Sequence, residues 1–155
     1  MSNEPVLHIA LMNPEIAPNT GNIGRLCLGI DARLHLIHPL GFSTGEKAVR
    51  RAGLDYWKRV DLVEHEDADA FWAWAEGRQV HLFSTKVSRT YADIPWADGD
   101  VLLFGPESKG LDEALIRDRG AWTIPMTGGV RSLNLANAVA VVAYGALQKL
   151  RSEIF

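Results

Sequence analysis

The sequence lacks the features that mark several large protein classes. It has a single cysteine, Cys27, so neither an internal disulfide nor a cysteine-cluster metal site can form within the chain. No apolar run reaches membrane-spanning length, and residues 1–10 carry neither a basic segment nor a signal-like apolar core. There is no internal repeat, low-complexity tract or linker. We therefore expect one cytoplasmic domain over residues 1–155, with no membrane partner.

An excess of positive charge is also missing. The formal net charge is −3 at pH 7, and the five histidines show no metal-ligand spacing, so we expect no metal. The charges are nevertheless segregated along the chain. Residues 46–59 contain five basic residues and two acids, whereas residues 61–76 contain six acids and no lysine or arginine. Such blocks are typical of solvated faces, and a face that meets phosphate is the alternative.

Short apolar runs alternate with helical patterns through most of the 155 residues. The runs predict strands at residues 7–12, 34–37, 60–63, 80–84, 101–104 and 122–124. The helical spacing predicts helices that begin after a cap at Asn19 or Thr20, over residues 68–76, over residues 112–119 and at the end of the chain. This order predicts an α/β fold with an open, mostly parallel sheet and helices on both faces.

Residues 124–150 join a glycine loop to the most apolar helix candidate in the chain. Gly128 and Gly129 allow positive φ and close approach to a ligand, and Ser132 is the predicted N-cap of a helix over residues 133–150. Asn134 and Asn137 then fall on one helical face. They either bond neighbouring backbone within a buried helix or contact a ligand or another subunit.

Three loops, at residues 84–86, 105–110 and 125–132, leave predicted strands at the same edge of the sheet. Ligands bind at this edge in open α/β sheets, so we expect one pocket whose main-chain groups read an adenine edge and a ribose. Glu107 is either a ribose or loop anchor, or a helix N-terminal charge beside Asp112.

Two glycine motifs require comparison with known nucleotide sites. Residues 105–110, GPESKG, do not have the spacing of a Walker A loop. Residues 19–24, NTGNIG, follow a strand and open a helix, as in a dinucleotide site, but they lack the first glycine of that fingerprint and no acid ends the next strand. A nicotinamide-dinucleotide-binding oxidoreductase therefore remains an alternative on pattern alone.

Three stretches carry a resemblance to a known family: PNTGNIGRLC at residues 18–27, LLFGPESKGL at 102–111 and IPMTGGVRSLNLANAV at 124–139. In this order and spacing they resemble the signatures of SPOUT-class RNA methyltransferases, specifically the small members that modify the ribose of the tRNA wobble nucleotide. The resemblance implies S-adenosyl-L-methionine-dependent 2′-O-methylation of a cytidine or modified uridine in the anticodon loop. It also implies a deep C-terminal trefoil knot and a homodimer. A non-catalytic RNA-binding protein is a second alternative.

The resemblance also assigns roles to individual residues. Arg25 would be the key catalytic residue, and Asn19 would orient the loop or the substrate. Arginine stays protonated, so we expect Arg25 to stabilise the developing alkoxide and to clamp a flanking phosphate. A plain surface arginine is the alternative for Arg25.

The remaining assignments concern the cofactor, the RNA and the subunit interface. The cofactor would be held by Phe83, Gly105, Ile124, Ser132 and Asn134, and RNA phosphates would be contacted by Arg131, Lys47, Arg50 and Arg51. The last helix, with a polar stripe through Asn137, Tyr144 and Gln148, would form part of the homodimer interface.

Overall fold

The computed structural model describes residues 4–45, 47 and 54–155, and its centre is a five-stranded, wholly parallel sheet. The strands are β1 (Leu7–Met12), β2 (Arg33–Ile37), β3 (Leu62–His65), β4 (Val80–Leu82) and β5 (Asp100–Phe104). Their order is β3-β2-β1-β5-β4, so the chain builds outward from β1 to one edge and then crosses to the other side. β1 and β5 are buried along their whole length, as expected for central parallel strands covered on both faces.

Within the described residues, four α-helices cover the two faces of the sheet. They are α1 (Ala17–Ile30), α2 (Ala68–Ala75), α3 (Glu113–Arg119) and α4 (Leu135–Leu150). α1 and α4 share one apolar cluster with one face of the strands, whereas α2 and α3 contribute to the cluster on the opposite face. The predicted α/β class, the parallel sheet and helices on both faces are confirmed.

Two predicted helix caps are wrong. α1 begins at Ala17, so Asn19 and Thr20 lie inside its first turns, where Pro18 is tolerated because the first turn needs no N–H partners. α4 begins at Leu135 and is capped by Asn134, whose Oδ1 accepts from the N–H groups of Ala136 (2.9 Å) and Asn137 (3.3 Å). Both predictions chose a residue type that often caps helices, because the sequence alone does not show how the neighbouring loops pack.

Three predicted strands also differ in the structure. β4 ends at Leu82, two residues before the end of the predicted strand at residues 80–84, and Phe83 forms only an isolated bridge. β3 spans Leu62–His65, two residues later than the predicted 60–63, because the backbone of Val60 closes the preceding 3₁₀ turn onto Trp57. Residues 122–124 form isolated parallel bridges and no full strand: Trp122 pairs with Phe83, and Thr123 pairs with Thr90. The two bridges hold this segment between the two ends of the 83–90 loop.

Cys27 is 1% exposed and packs in the α1 cluster. Burial raises the pKa of its thiol to about 12, so it remains a neutral, small apolar residue, as predicted. Among the described helices, none is both long and apolar enough to cross a membrane.

Three buried histidines form a hydrogen-bonded row across β1, β2 and β3. His8 Nδ1 lies 2.8 Å from His35 Nε2, and His35 Nδ1 lies 2.9 Å from His65 Nε2. The Trp74 ring covers the row at 4.3 Å from the His35 ring, and Glu4 Oε2 lies 3.2 Å from His8 Nε2 at its outer end. Burial lowers the pKa of His8 and His65, and burial together with the neighbouring histidines lowers that of His35 to about 2.

The row predicts a loss of stability in mild acid. The unfolded chain takes up protons on these histidines as the pH falls below about 6.5, while the folded chain resists protonation, so stability decreases by up to about 1.4 kcal/mol per pH unit for each histidine. Urea unfolding between about pH 7.5 and 5.5, above the range where carboxylates titrate, measures this slope.

A pair of variants tests the assignment. His35→Gln removes the central titrating ring and should give a shallower slope, whatever its stability at neutral pH. His38→Gln is the matched control, because the His38 side chain is 40% exposed and bonded to Glu64 at the surface. An unchanged slope in His35→Gln would show that the row does not govern the acid response.

Candidate active site

A cleft of about 640 Å³ opens at the carboxyl edge of the sheet. It lies where the strand order reverses between β1 and β5, the position at which open α/β sheets bind ligands. Its walls come from the loops that follow β1, β4 and β5, from residues 122–126 and from the residues that lead into α4. The three loops predicted to converge therefore do so.

The floor of the cleft is aromatic. The rings of Phe83 and Phe104 stack with centroids 4.7 Å apart and an interplanar angle of 13°. Both side chains come from strand ends and are almost fully buried. A flat apolar floor rimmed by main-chain polar groups suits a heteroaromatic ring such as adenine.

The loop after β5 closes too tightly for any side chain at Gly105. A Cβ there would lie 2.3 Å from the carbonyl carbon of Gly110 and from the nitrogen of Leu111. Gly110 has a φ of +71°, and its N–H donates to the carbonyl of Pro106 at 2.8 Å. Glycine is required at both positions, and the loop backbone is thereby held against the cleft.

Glu107 ties this loop to the start of α1. Its Oε1 accepts from the N–H of Glu15 (2.8 Å), and its Oε2 accepts from the N–H of Ile16 (2.9 Å). Ile16 is the N-cap residue of α1 and Glu15 precedes it, so neither N–H group has an intrahelical partner. Glu107 therefore anchors its loop to the residues that lead into α1, which is the loop-anchor alternative.

Glu15 completes a reciprocal clamp. Its carboxylate accepts from the N–H of Ser108 (2.8 Å) and from the Ser108 hydroxyl (3.0 Å). These hydrogen bonds, chiefly the one from the Ser108 N–H, hold the pKa of Glu15 below its usual range. Two carboxylates thus cross between the β1–α1 loop and the β5–α3 loop, and each binds the backbone beside the other. We call this arrangement the Glu15–Glu107 clamp.

Two asparagines extend the clamp to α4. Asn19 Nδ2 lies 3.3 Å from Glu107 Oε2, and Asn134 Nδ2 donates to Asn19 Oδ1 at 3.1 Å. A carboxylate only accepts, and the N–H groups capped by Asn134 only donate, so both amide orientations are determined. One connected chain of hydrogen bonds therefore joins the three sequence stretches that carry the family resemblance.

The structure brings most of the predicted site residues together. Seven of them line the cleft: Asn19, Phe83, Gly105, Ile124, Arg131, Ser132 and Asn134. Arg25 is not among the lining residues; it lies on the exposed side of α1. Lys47 is exposed, and Arg50 and Arg51 lie outside the described residues.

Several contributions at the site were not predicted. Phe104 forms half of the floor, and its signal was present as an aromatic strand end directly before the GPE sequence. Glu15 had no recognisable signal, since its partner lies 93 residues away. Gly128 and Gly129 lie in open space without the positive φ that was expected of them. No group of three or more potential metal ligands occurs in the described part of the chain.

The sequence matches the SpoU rRNA methylase family over residues 6–144. This chain belongs to that family. A relative from Methylovorus glucosotrophus (strain SIP3-4), named tRNA (cytidine(34)-2′-O)-methyltransferase, is 46% identical over 142 residues, which are 89% of this chain and 92% of the relative.

Solved structures with the same fold extend the comparison of this SpoU methylase. One, described as "Structural insights into the 2-OH methylation of C/U34 on tRNA", superimposes with a TM-score of 0.92 at 44% identity over 96% of this chain and 98% of the other. An AdoMet-bound rRNA methyltransferase from Sinorhizobium meliloti gives a TM-score of 0.85 at 25% identity, over 97% of this chain and 59% of the other. The aromatic floor, the tight Gly105 loop and the main-chain rim of the SpoU methylase cleft fit a cofactor of that kind.

The clamp predicts an effect of Glu107→Gln on stability. In the variant, an NH₂ group replaces one of the two acceptor oxygens of residue 107 and faces a backbone N–H group. One N–H group at the start of α1 therefore loses its hydrogen-bond partner. We expect a loss of about 1–3 kcal/mol in the free energy of unfolding, measured in urea at pH 7. Glu66→Gln is the control, since Glu66 is exposed and its change should stay within about 0.5 kcal/mol. Equal stability of both variants would contradict the clamp.

Proposed function

We propose that this SpoU methylase transfers a methyl group from S-adenosyl-L-methionine to the 2′-oxygen of the wobble nucleotide of tRNA, a cytidine or a modified uridine. The observation that carries the proposal is the connected cleft, in which the three family stretches meet over an aromatic floor. The names of the related protein and structure supply the substrate. Since tRNA is the substrate, we place the protein in the cytoplasm.

The chemistry needs alignment and charge stabilisation. S-adenosylmethionine, when bound, supplies an electrophilic methyl group. The cofactor would be held by Phe83, by the loop at Gly105 and by the backbone near Ile124 and Ser132. The clamp and the two asparagines fix these parts relative to one another before substrate arrives, which lowers the cost of alignment.

We assign the acceptor side to Arg25. Its guanidinium stays charged, so it stabilises the developing alkoxide and orients a flanking phosphate, which can take the proton. Arg131 is exposed at the cleft rim and is placed to contact RNA phosphate. Exposed basic residues at Lys47, Lys58 and Arg59 support an RNA-facing surface on the basic block, which we extend to Arg50 and Arg51.

We also propose a homodimer in which each active-site cleft is completed by residues of both subunits, including Arg25. Arg25 lies on the exposed face of α1, and α1 packs beside α4 in the same layer. Arg25 is not among the residues that line the cleft of its own subunit. α4 leaves an exposed stripe on the same side of the sheet, formed by Asn137, Val141, Tyr144 and Gln148. Val141 is 37% and Tyr144 47% exposed, so the stripe has apolar area that a second copy would cover.

A trefoil knot in the C-terminal part is the remaining structural proposal. It is supported by the parallel bridges of Trp122 to Phe83 and of Thr123 to Thr90, which place the segment before α4 between the ends of one loop. The chain that follows leads to α4 on the α1 face of the sheet, and we propose that it passes through this loop on the way.

Methyl transfer to tRNA, followed with labelled S-adenosylmethionine, tests the function and the role of Arg25. We expect activity in the wild type, and Arg25→Ala should lower kcat by about 10²–10³-fold, since it removes a charge from the transition state. Affinity for S-adenosylhomocysteine by calorimetry should stay unchanged. Arg25→Lys should recover only part of the rate, because a point charge does not replace the planar fork.

The matched control is Arg117→Ala. Arg117 is equally exposed but lies on α3, on the opposite face of the sheet. Its loss should leave kcat near the wild-type value. An Arg25→Ala enzyme with wild-type turnover would remove Arg25 from the mechanism, whereas a wild type that binds tRNA without transferring methyl groups would favour the non-catalytic alternative.

The dimer predicts that a charge on the α4 stripe separates the subunits. Val141→Asp or Tyr144→Asp should shift the protein towards monomer in light scattering and lower methyl transfer in parallel, because a buried unpaired carboxylate is costly. Ala114→Asp, on the exposed side of α3, is the control and should change neither property. A wild-type protein that is monomeric and fully active at assay concentration would contradict both the interface and the shared site.

A further inference from the structure

The 3₁₀ segment Leu54–Arg59 docks on α1 through a close fit between a tryptophan and a glycine. A Cβ on Gly24 would lie 2.6 Å from Cζ3 and 3.0 Å from Cε3 of Trp57, so only glycine lets the indole reach the helix. Trp57 is partly buried against the α1 cluster, and its carbonyl accepts from the N–H of Val60 at 3.1 Å. The last glycine of NTGNIG therefore serves packing between two elements of the chain.

This contact determines what lies beside Arg25. Gly24 directly precedes Arg25 on the helix, and Tyr56 directly precedes Trp57 on the docked segment. The contact between Trp57 and Gly24 therefore brings Tyr56 close to Arg25. The Arg25 guanidinium carbon lies 5.4 Å from the centre of the Tyr56 ring. This is within the range of a cation–π contact, which extends to about 6 Å.

An aromatic ring affects a guanidinium differently from a carboxylate. Among the residues that the structure describes, Arg25 forms no ion pair, so no neighbouring carboxylate offsets its positive charge. A ring restrains the plane of the guanidinium and leaves its N–H donors available at the edge. Both properties suit an arginine that must meet a developing negative charge.

The stacking is looser than elsewhere in the chain. Arg78, Arg89 and Arg119 lie 4.3, 4.1 and 3.7 Å from the centres of the Trp74, Trp122 and Trp72 rings. The longer distance at Tyr56 is near the limit of a cation–π contact, so we expect this ring to restrain Arg25 less than the tryptophans restrain the other three arginines.

We infer that Tyr56 is a positioning residue for Arg25: its ring, anchored by the seat of Trp57 on Gly24, orients the guanidinium for methyl transfer. The inference rests on the proposed function and on the role given there to Arg25. Tyr56 is not assigned a contact with the cofactor or the reacting atoms, and its effect on methyl transfer acts through Arg25.

A double-mutant cycle with steady-state kinetics on tRNA tests this inference. Tyr56→Leu should lower kcat about fivefold, the size of an exposed cation–π contact, with unchanged KM for tRNA. Tyr56→Phe keeps the ring and should retain wild-type kcat. In the Arg25→Ala background, Tyr56→Leu should cause no further loss, because the group that it positions is absent. Urea unfolding and S-adenosylhomocysteine affinity of each variant establish that the fold and the cofactor side are intact.

The outcomes distinguish a failure of this inference from a failure of the proposed function. If Arg25→Ala is inactive and Tyr56→Leu has wild-type kcat, Tyr56 has no positioning role while the proposed function stands. An equal loss from Tyr56→Leu in both backgrounds, or a change in KM for tRNA alone, also overturns the inference, the latter in favour of a direct RNA contact. Full activity of Arg25→Ala would remove the role of Arg25 and the inference with it.

Discussion

The Glu15–Glu107 clamp is the constraint on which the rest of the site depends. Parallel strands place three loops at one edge of the sheet, but they do not determine how those loops meet. Here two carboxylates cross between loops about 90 residues apart and satisfy backbone donors that each segment leaves open. Because Asn19 continues the chain of hydrogen bonds to Asn134, the start of α4 is set by the same network.

A preformed cleft follows from this network. The cofactor side is built from main-chain groups and a buried aromatic floor, so it needs little rearrangement to bind a ligand. The acceptor side is different, since Arg25 is exposed on α1 and is not among the residues that line the cleft. The proposed homodimer would account for this separation, because a second subunit would complete the site.

Local patterns were sufficient for the fold, and the family resemblance supplied most of the cleft lining. The strand, helix and loop alternation predicted the parallel sheet, and residues that the resemblance assigned to the cofactor, among them Phe83, Gly105 and Asn134, do line one cleft. Contacts between distant residues were not predictable: Ser132 and Asn134 are both good caps, and the bond of Asn134 to Asn19, 115 positions earlier, has no signal in the sequence. The role of Gly24 was likewise hidden, because its partner Trp57 lies 33 positions later in a segment with no matching motif.

Methylation of the wobble ribose can be tested by mass-spectrometric mapping of ribose methylation in tRNA from cells with and without this protein. We predict that a 2′-O-methyl group at position 34 of specific tRNAs disappears without the protein and returns when the wild-type chain is expressed. Unchanged methylation at that position, with loss of a methyl group elsewhere in tRNA or in rRNA, would contradict it.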